Sequence, residues 1–185
     1  VDVLYVKGSG WDLDTLEPAG LPGVLLGYLQ KLRSLDRLSD EEMVNEQRTH
    51  LLDASSPNPS VETLLHAFLP HKFIDHSHAD ASLIIANQPD AEKMCKEIYG
   101  DRIGIVTYIM PGFALAKASA EAYEKNPDVE GLLLINHGLF TFGDSAKESY
   151  DRHIHAVTLA EEYIAKKPLK SLTPLAGPAL KAGEE

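Results

Sequence analysis

Three histidines and one glutamate have the residue types and spacing of a metal-dependent catalytic site. His76 and His78 stand two positions apart in a stretch predicted as a β-strand. Side chains at positions i and i+2 of a strand project from the same face, so the two imidazoles can chelate one ion. His137 follows the apolar run 132–135, which is typical of a central strand, and we expect that strand to neighbour the first. Three histidines around Zn²⁺ leave a fourth position open, as catalytic zinc sites do.

Glu62 is the candidate for moving a proton at such a site. It lies in the first turn of a short amphipathic helix predicted over residues 60–69. Enolate chemistry on a metal requires a positioned base as well as a Lewis acid, which is the reason to group Glu62 with the histidines. Each feature alone has a simpler interpretation, because H-x-H pairs are often only hydrogen-bonded or exposed, and the helix dipole alone favours a glutamate in a first turn. The combination of all four residues favours the metal site.

The other histidines are predicted to pack or to face solvent. His66 lies one turn after Glu62 and could orient it, but an ordinary position on an amphipathic helix is the simpler expectation. The remaining four have no visible chelating partner on a strand: His50, His71, His153 and His155. Asp75 and Asp80 flank the H-x-H pair and are candidates to accept a hydrogen bond from an imidazole N–H.

The elements that must position these residues do not follow a regular βαβ order. Period-two and buried apolar patterns predict strands at residues 1–6, 73–78, 103–108, 131–136 and 140–142. Helical periodicity and stop signals predict helices at residues 21–34, 39–53, 60–69, 80–86, 90–99, 111–125 and 145–166. Capping boxes are predicted at Ser39 with Glu42 and at Ser145 with Glu148. Strands and helices mixed in this way predict an α/β layered domain.

Composition limits the partners that the chain can have. Its 185 residues, 44% of them hydrophobic, are enough for one substantial core. A formal net charge of −11 argues against a nucleic-acid partner, and no apolar run approaches the ~20 residues of a membrane-spanning helix. The single cysteine, Cys95, is expected to be a buried structural thiol, and without a visible signal peptide a cytoplasmic location is expected. Because the chain does not begin with Met, we expect further sequence upstream of Val1.

Four short segments resemble motifs of the class II aldolase and adducin superfamily. Pro-Ser-Val-Glu at 59–62 is similar to its P-S-x-E segment, and His-Ser-His-Ala at 76–79 to its H-x-H-A segment. Ile-Asn-His-Gly-Leu at 135–139 resembles its strand-ending histidine, and Ser9-Gly10 its phosphate-contacting turn. Stretches 4–11 and 58–81 most resemble the aldolase half of bifunctional rhamnulose-1-phosphate aldolase/alcohol dehydrogenases. The resemblance covers residues 1–166 and leaves 167–185 as a tail or linker.

The resemblance implies a three-layer α/β/α fold with a central, mainly antiparallel sheet, and a homotetramer with sites between subunits. It implies a zinc-dependent lyase of rhamnose catabolism that cleaves a ketose 1-phosphate, here L-rhamnulose 1-phosphate, to dihydroxyacetone phosphate and an aldehyde. The family's glycine-asparagine phosphate segment would precede Val1, and a dehydrogenase domain could be fused in the parent protein. Tyr108 is a candidate for the tyrosine that a neighbouring subunit contributes in this family.

By the same resemblance, zinc would be held by His76, His78 and His137, and Glu62 would protonate the carbon released when the carbon-carbon bond breaks. The substrate phosphate would contact Gly8, Ser9, Gly10 and Ser60. Two alternatives stay open: a related metal-dependent epimerase or decarboxylase, and a non-catalytic interaction module like the head of adducin. The four convergent site residues argue against the second alternative, because a scaffold does not need them.

Overall fold

A computed structural model describes residues 1–167, so the predicted tail lies outside the described residues except for Lys167. The strands in this range are β1 (Val3–Tyr5), β2 (Gly23–Leu25), β3 (Phe73–Ser77), β4 (Ile103–Val106), β5 (Gly131–Leu134) and β6 (Gly138–Gly143). The helices are α1 (Leu26–Leu32), α2 (Asp40–Thr49), α3 (Thr63–Phe68), α4 (Asp80–Ala86), α5 (Ala91–Tyr99), α6 (Phe113–Lys125) and α7 (Ala146–Ala165). None of these helices is long and apolar enough to cross a membrane.

The central sheet has four strands in the order β3-β6-β5-β4. β6 pairs antiparallel with both of its neighbours, whereas β5 and β4 are parallel. The register of the first pair places His76 opposite Phe140 and Ser77 opposite Leu139. β3, which carries the H-x-H pair, is therefore an edge strand, and the fully buried β5 and β6 form the centre of the sheet.

Helices cover both faces of this sheet. One core joins α1, α3 and α6 to side chains such as Leu132, Leu134 and Phe140, whereas a second core joins α4, α5 and α7 to Leu133 and Leu139. Neighbouring residues of a strand point to opposite faces, so the continuous apolar run of β5 supplies both cores. The predicted three-layer α/β/α class with a mainly antiparallel sheet is confirmed.

The segment between residues 21 and 25 differs from the prediction. A helix is predicted from residue 21, but Gly23–Leu25 form β2, which pairs antiparallel with β1, and α1 begins only at Leu26. Leu21 precedes Pro22, which restricts Leu21 to extended backbone. A short apolar run fits a buried strand as well as a helix, and only the partner strand β1 decides between them.

The two predicted capping boxes have different outcomes. The first is confirmed: the Ser39 hydroxyl accepts from the Glu42 N–H at 3.2 Å, and the Glu42 carboxylate accepts from the Ser39 N–H at 2.9 Å. The second is only half present. The Ser145 hydroxyl accepts from the Glu148 N–H, but the Glu148 carboxylate accepts from the N–H of Asp144, one residue earlier. The glutamate side chain is long enough to reach the N–H of either Asp144 or Ser145.

Candidate active site

Side chains of Glu62, His76, His78 and His137 converge on one point. The Oε1 atom of Glu62 lies 2.6 Å from Nε2 of His137 and 3.1 Å from Nε2 of His76. The Nε2 atoms of His76 and His78 are 3.0 Å apart. One potential ligand atom from each of the four residues lies within 4.8 Å of the other three. The structure therefore brings together the four residues that the sequence singles out.

Three elements position this cluster. His76 belongs to β3 and His78 follows its last residue. Glu62 occupies the N-cap position of α3, one residue before the first turn in which the sequence predicts it, and its side chain makes no capping hydrogen bond. His137 stands in the tight connection between β5 and β6, where Asn136 has a φ of +57°. The expectation that the strand before His137 neighbours β3 is wrong, because β6 lies between them. His137 reaches the pair because it immediately precedes β6, the strand that does pair with β3.

The donor atoms have the chemistry of a cation site. The carbonyl oxygen of Leu139 can only accept, so Nδ1 of His76, at 3.0 Å, carries the hydrogen and Nε2 presents its lone pair. That lone pair faces the carboxylate oxygen of Glu62 at 3.1 Å, and two acceptors at this distance favour a positive charge between them. Ligands of tetrahedral zinc, with bonds of about 2.0–2.1 Å, stand roughly 3.3 Å apart. The four side chains could hold a metal ion.

The prediction that Asp75 or Asp80 orients an imidazole is wrong for His76. The Nδ1–H group of His76 donates to the carbonyl oxygen of Leu139. β6 pairs with β3 at this point and so places that backbone acceptor beside the ring. The same ring stacks on Phe140, with centroids 3.9 Å apart and planes at 11°. Backbone and aromatic contacts therefore fix the orientation of His76.

Glu62 is ionised at neutral pH. Burial alone would raise the pKa of its carboxyl group, but the imidazoles of His137 and His76 beside it lower this pKa well below its usual range. Burial also lowers the pKa of His78, and the neighbouring His76 lowers it further. The cluster thus combines an ionised carboxylate with at least one imidazole that favours its neutral, metal-binding form.

A cleft of about 250 Å³ opens beside this cluster. Glu62, His76 and His66 line it together with Ser60 and Lys7. Burial lowers the pKa of His66 to about 4, so this ring is neutral at pH 7, and its edge faces Phe140 at 5.5 Å. A larger groove of about 460 Å³ runs along β4, and none of the four cluster residues lines it.

The residues predicted to bind phosphate lie next to this cleft, but part of their bonding capacity is used. The N–H of Gly8 is donated to Gly20 and that of Ser9 to Asn58, both at 2.7 Å. The Ser60 hydroxyl accepts from the Glu62 N–H at 3.2 Å. Within residues 1–167 the Gly10 amide makes no hydrogen bond, so that amide and the two serine hydroxyls are the groups left for a ligand.

Lys7 is not among the residues predicted for the site, yet it lines the cleft. Its ammonium group donates to the carbonyl oxygens of Gly8 and Trp11, which holds it against the glycine-rich turn. A basic residue directly before Gly-Ser-Gly, in a chain with a net charge of −11, is the sequence signal that points to it. Tyr108 lies outside the cluster, half exposed in the loop after β4.

The other histidines pack or face solvent as predicted. His50 stacks on Tyr28 and His71 stacks on Phe142, with ring centroids 3.3 and 4.2 Å apart. His155 is exposed beside Arg102, whereas His153 is buried on the second face of the sheet.

Residues 1–164 match the family described as the class II aldolase and adducin N-terminal domain. The chain belongs to the class II aldolase and adducin family. A Bacillus subtilis protein with the name uncharacterized oxidoreductase YuxG is 40% identical over 164 residues, which are 89% of this chain and 24% of that protein. The chain thus spans about a quarter of the length of this relative.

Solved structures of class II aldolase family members share the fold. The N-terminal class II aldolase domain of a conserved protein from Thermoplasma acidophilum is 43% identical, with a TM-score of 0.82 over 88% of this chain and 75% of that one. An L-fuculose 1-phosphate aldolase has a TM-score of 0.59 at 14% identity, over 88% of this chain and 69% of that one. At that identity the second comparison shows the fold alone.

Proposed function

We propose that this chain is the aldolase domain of a zinc-dependent class II enzyme that cleaves a ketose 1-phosphate to dihydroxyacetone phosphate and an aldehyde. The observation that carries the proposal is the convergence of His76, His78, His137 and Glu62 at a cleft sized for a small molecule. Family membership supports the sugar-phosphate class. L-Rhamnulose 1-phosphate is the proposed substrate, because segments 4–11 and 58–81 resemble the aldolases that act on it.

The proposed roles follow from the charges and contacts of the side chains. His76, His78 and His137 would hold the zinc ion, which would supply Lewis acidity towards a substrate carbonyl group. Glu62 is ionised and borders the same cleft, so it is the group that can take a proton from carbon in the condensation direction. In the cleavage direction the substrate hydroxyl group next to the breaking carbon-carbon bond releases a proton, and Glu62 in its protonated form delivers one to the released carbon.

Phosphate binding is assigned to the glycine-rich turn and its surroundings. Gly8, Ser9, Gly10 and Ser60 stay the proposed contacts, with the direct donors being the Gly10 amide and the two hydroxyl groups. Lys7 adds the positive charge that a phosphate dianion favours in a strongly acidic protein. The amide of Gly8 is donated to Gly20, so the proposed contact of Gly8 with the phosphate is through van der Waals approach of its backbone and not through a hydrogen bond.

The larger assembly is also part of the proposal. We propose a cytoplasmic homotetramer with sites between subunits, in which Tyr108 can reach a neighbouring site. We place the domain at residues 1–166 and the linker at 167–185. A dehydrogenase domain fused downstream is supported by the length of the Bacillus subtilis relative and by the oxidoreductase in its name.

A coupled assay for dihydroxyacetone phosphate tests the activity. The 185-residue chain, loaded with zinc, is supplied with L-rhamnulose 1-phosphate, L-fuculose 1-phosphate or other ketose 1-phosphates, and product release is expected with the first. A zinc-loaded chain that releases no dihydroxyacetone phosphate from any of them contradicts the proposal. Epimerised or decarboxylated products from the same panel would assign the site to the alternative chemistry instead.

Substitution of Glu62 tests its role separately from metal binding. Glu62→Gln keeps the size of the side chain and its oxygen atom, so we expect zinc to be retained while turnover falls at least a hundredfold. Glu92→Gln is the matched control, because Glu92 is exposed on α5. Turnover that is equal in Glu62→Gln and in the control would remove Glu62 from the mechanism.

A further inference from the structure

Ser77 lies between the two histidines of β3 and makes its contact on the opposite side of the sheet. Successive side chains of a strand point to opposite faces, so Ser77 points away from the cleft and towards α7. Its hydroxyl oxygen lies 2.6 Å from Nε2 of His153. The segment that carries His76 and His78 is therefore attached to α7 through the one side chain that separates them.

The hydrogen bonds continue from His153 into the sheet. Nδ1 of His153 lies 2.9 Å from the hydroxyl oxygen of Thr141 on β6, and that hydroxyl donates to the carbonyl oxygen of Ser149 at 3.1 Å. The assignment that satisfies every polar atom has Nδ1–H donating to Thr141 and the Ser77 hydroxyl donating to Nε2. Thr141 and Ser149 are fully buried and His153 is 8% exposed, so water does not compete for the bonds on the Thr141 side of the ring, whereas Ser77 is half-buried.

Edge position explains why β3 depends on such an attachment. β3 pairs with β6 on one side only and is partly exposed along its whole length. Edge strands with few buried contacts open locally more easily than central strands. His78 follows the last residue of β3 and is itself exposed. The position of the Ser77 backbone therefore determines the position of the His78 imidazole.

We propose that His153 is a positioning residue for the metal site, and that it acts through Ser77 to hold His76 and His78 in the geometry that binds the ion. This inference rests on the metal site of the proposed function but not on the reaction or its substrate. His153 does not line the cleft, and its hydrogen bonds go to Ser77 and Thr141 rather than to the four cluster residues. It acts on the backbone from which two of the ligands project.

Zinc affinity and the visible absorption spectrum of the Co²⁺-loaded chain test the proposal without any substrate. His153→Leu and Ser77→Ala each remove the bond between α7 and β3, and we expect each to lower zinc affinity at least tenfold and to change the Co²⁺ spectrum. The double variant is expected to have the same zinc affinity as the single variant with the lower affinity, because both changes remove the same interaction. His153→Gln places an amide near Nε2, and we expect it to restore most of the affinity.

His155→Leu is the matched control on the same helix, since His155 is exposed and contacts Arg102 instead. Unfolding by urea is measured for every variant.

Variants that lose stability but keep the wild-type zinc affinity and Co²⁺ spectrum would overturn the proposal and leave His153 a packing residue. Additive losses in the double variant would also overturn it. If His153→Leu does not fold, then Ser77→Ala and His153→Gln decide. A wild-type chain that binds neither ion would instead refute the metal site itself.

Discussion

Gly138, where β6 begins, leaves no space for a β-carbon beside His76. A β-carbon at residue 138 would lie 2.9 Å from Cε1 of His76, 2.8 Å from Cδ2 of His78 and 2.7 Å from the carbonyl oxygen of Ser77. No larger residue fits at this position unless the Ser77 carbonyl and the two imidazoles move. The glycine after His137 therefore has a steric role: it lets the H-x-H pair approach the third histidine.

Gly138→Ala is expected to lower zinc affinity at least tenfold, because the added methyl group displaces both rings of the pair. The measurement is zinc affinity by competition with a chromophoric chelator. Gly27→Ala is the control: no atom lies within 4 Å of its added Cβ, and alanine is the better helix former inside α1. Its affinity should match the wild type, and its free energy of unfolding should rise by about 0.5–1 kcal/mol. Equal zinc affinity in both variants would show that the sheet adjusts around residue 138.

The site was predictable from sequence to the extent that its residues act locally. The period of two in β3 places His76 and His78 on one face, and that part of the geometry needs no tertiary information. The partner of β3 was not predictable, because an apolar run such as β5 does not specify its neighbours. For the same reason β2 and the Leu139 carbonyl acceptor appear only in the structure, since each depends on a strand distant in sequence.

Lys7→Met is expected to raise KM for the sugar phosphate about tenfold while zinc affinity stays unchanged. The substitution keeps most of the aliphatic side chain and removes the charge that lines the cleft. Steady-state kinetics and inhibition by inorganic phosphate measure the effect, and phosphate should inhibit the variant more weakly. Lys93→Met, at an exposed position of α5, provides the comparison. An unchanged KM in Lys7→Met would show that the ammonium group only supports the Gly8 to Trp11 turn.

The thiol of Cys95 is expected to be unreactive in the folded chain. It is 1% exposed, and burial together with the negative charge of Glu92 raises its pKa to about 12. Because the thiolate is the reactive form, a disulfide reagent at pH 8 should modify the native chain far more slowly than the urea-unfolded chain, in which the pKa is about 8.5. Rapid modification of one thiol per chain without denaturant would show that the packing of α5 against the sheet opens readily.

Tyr99→Phe is expected to leave stability unchanged or to increase it by up to about 1 kcal/mol at pH 7. Tyr99 is 3% exposed, and its hydroxyl group lies near the buried Ser82 hydroxyl without the geometry of a full hydrogen bond, so the substitution removes a buried polar atom that gains little in the fold. Tyr150→Phe is the control, since Tyr150 is 58% exposed. A loss of more than 1 kcal/mol in Tyr99→Phe alone would mean that the hydroxyl has a partner.

The alkaline dependence of stability gives the same residue a second test. Burial raises the pKa of Tyr99 to about 12, whereas an unfolded tyrosine ionises near pH 10. Between these values the unfolded chain has released a proton that the folded chain still holds. The stability from this group is therefore complete below about pH 10 and is lost as the pH rises towards 12.

At pH 12 the free energy of unfolding, measured with urea, should have fallen on the order of 2 kcal/mol more in the wild-type chain than in Tyr99→Phe. Tyr150→Phe, at an exposed position, is the control and should follow the wild-type curve. Parallel curves for Tyr99→Phe and the wild type would mean that the Tyr99 hydroxyl is accessible to water in the fold.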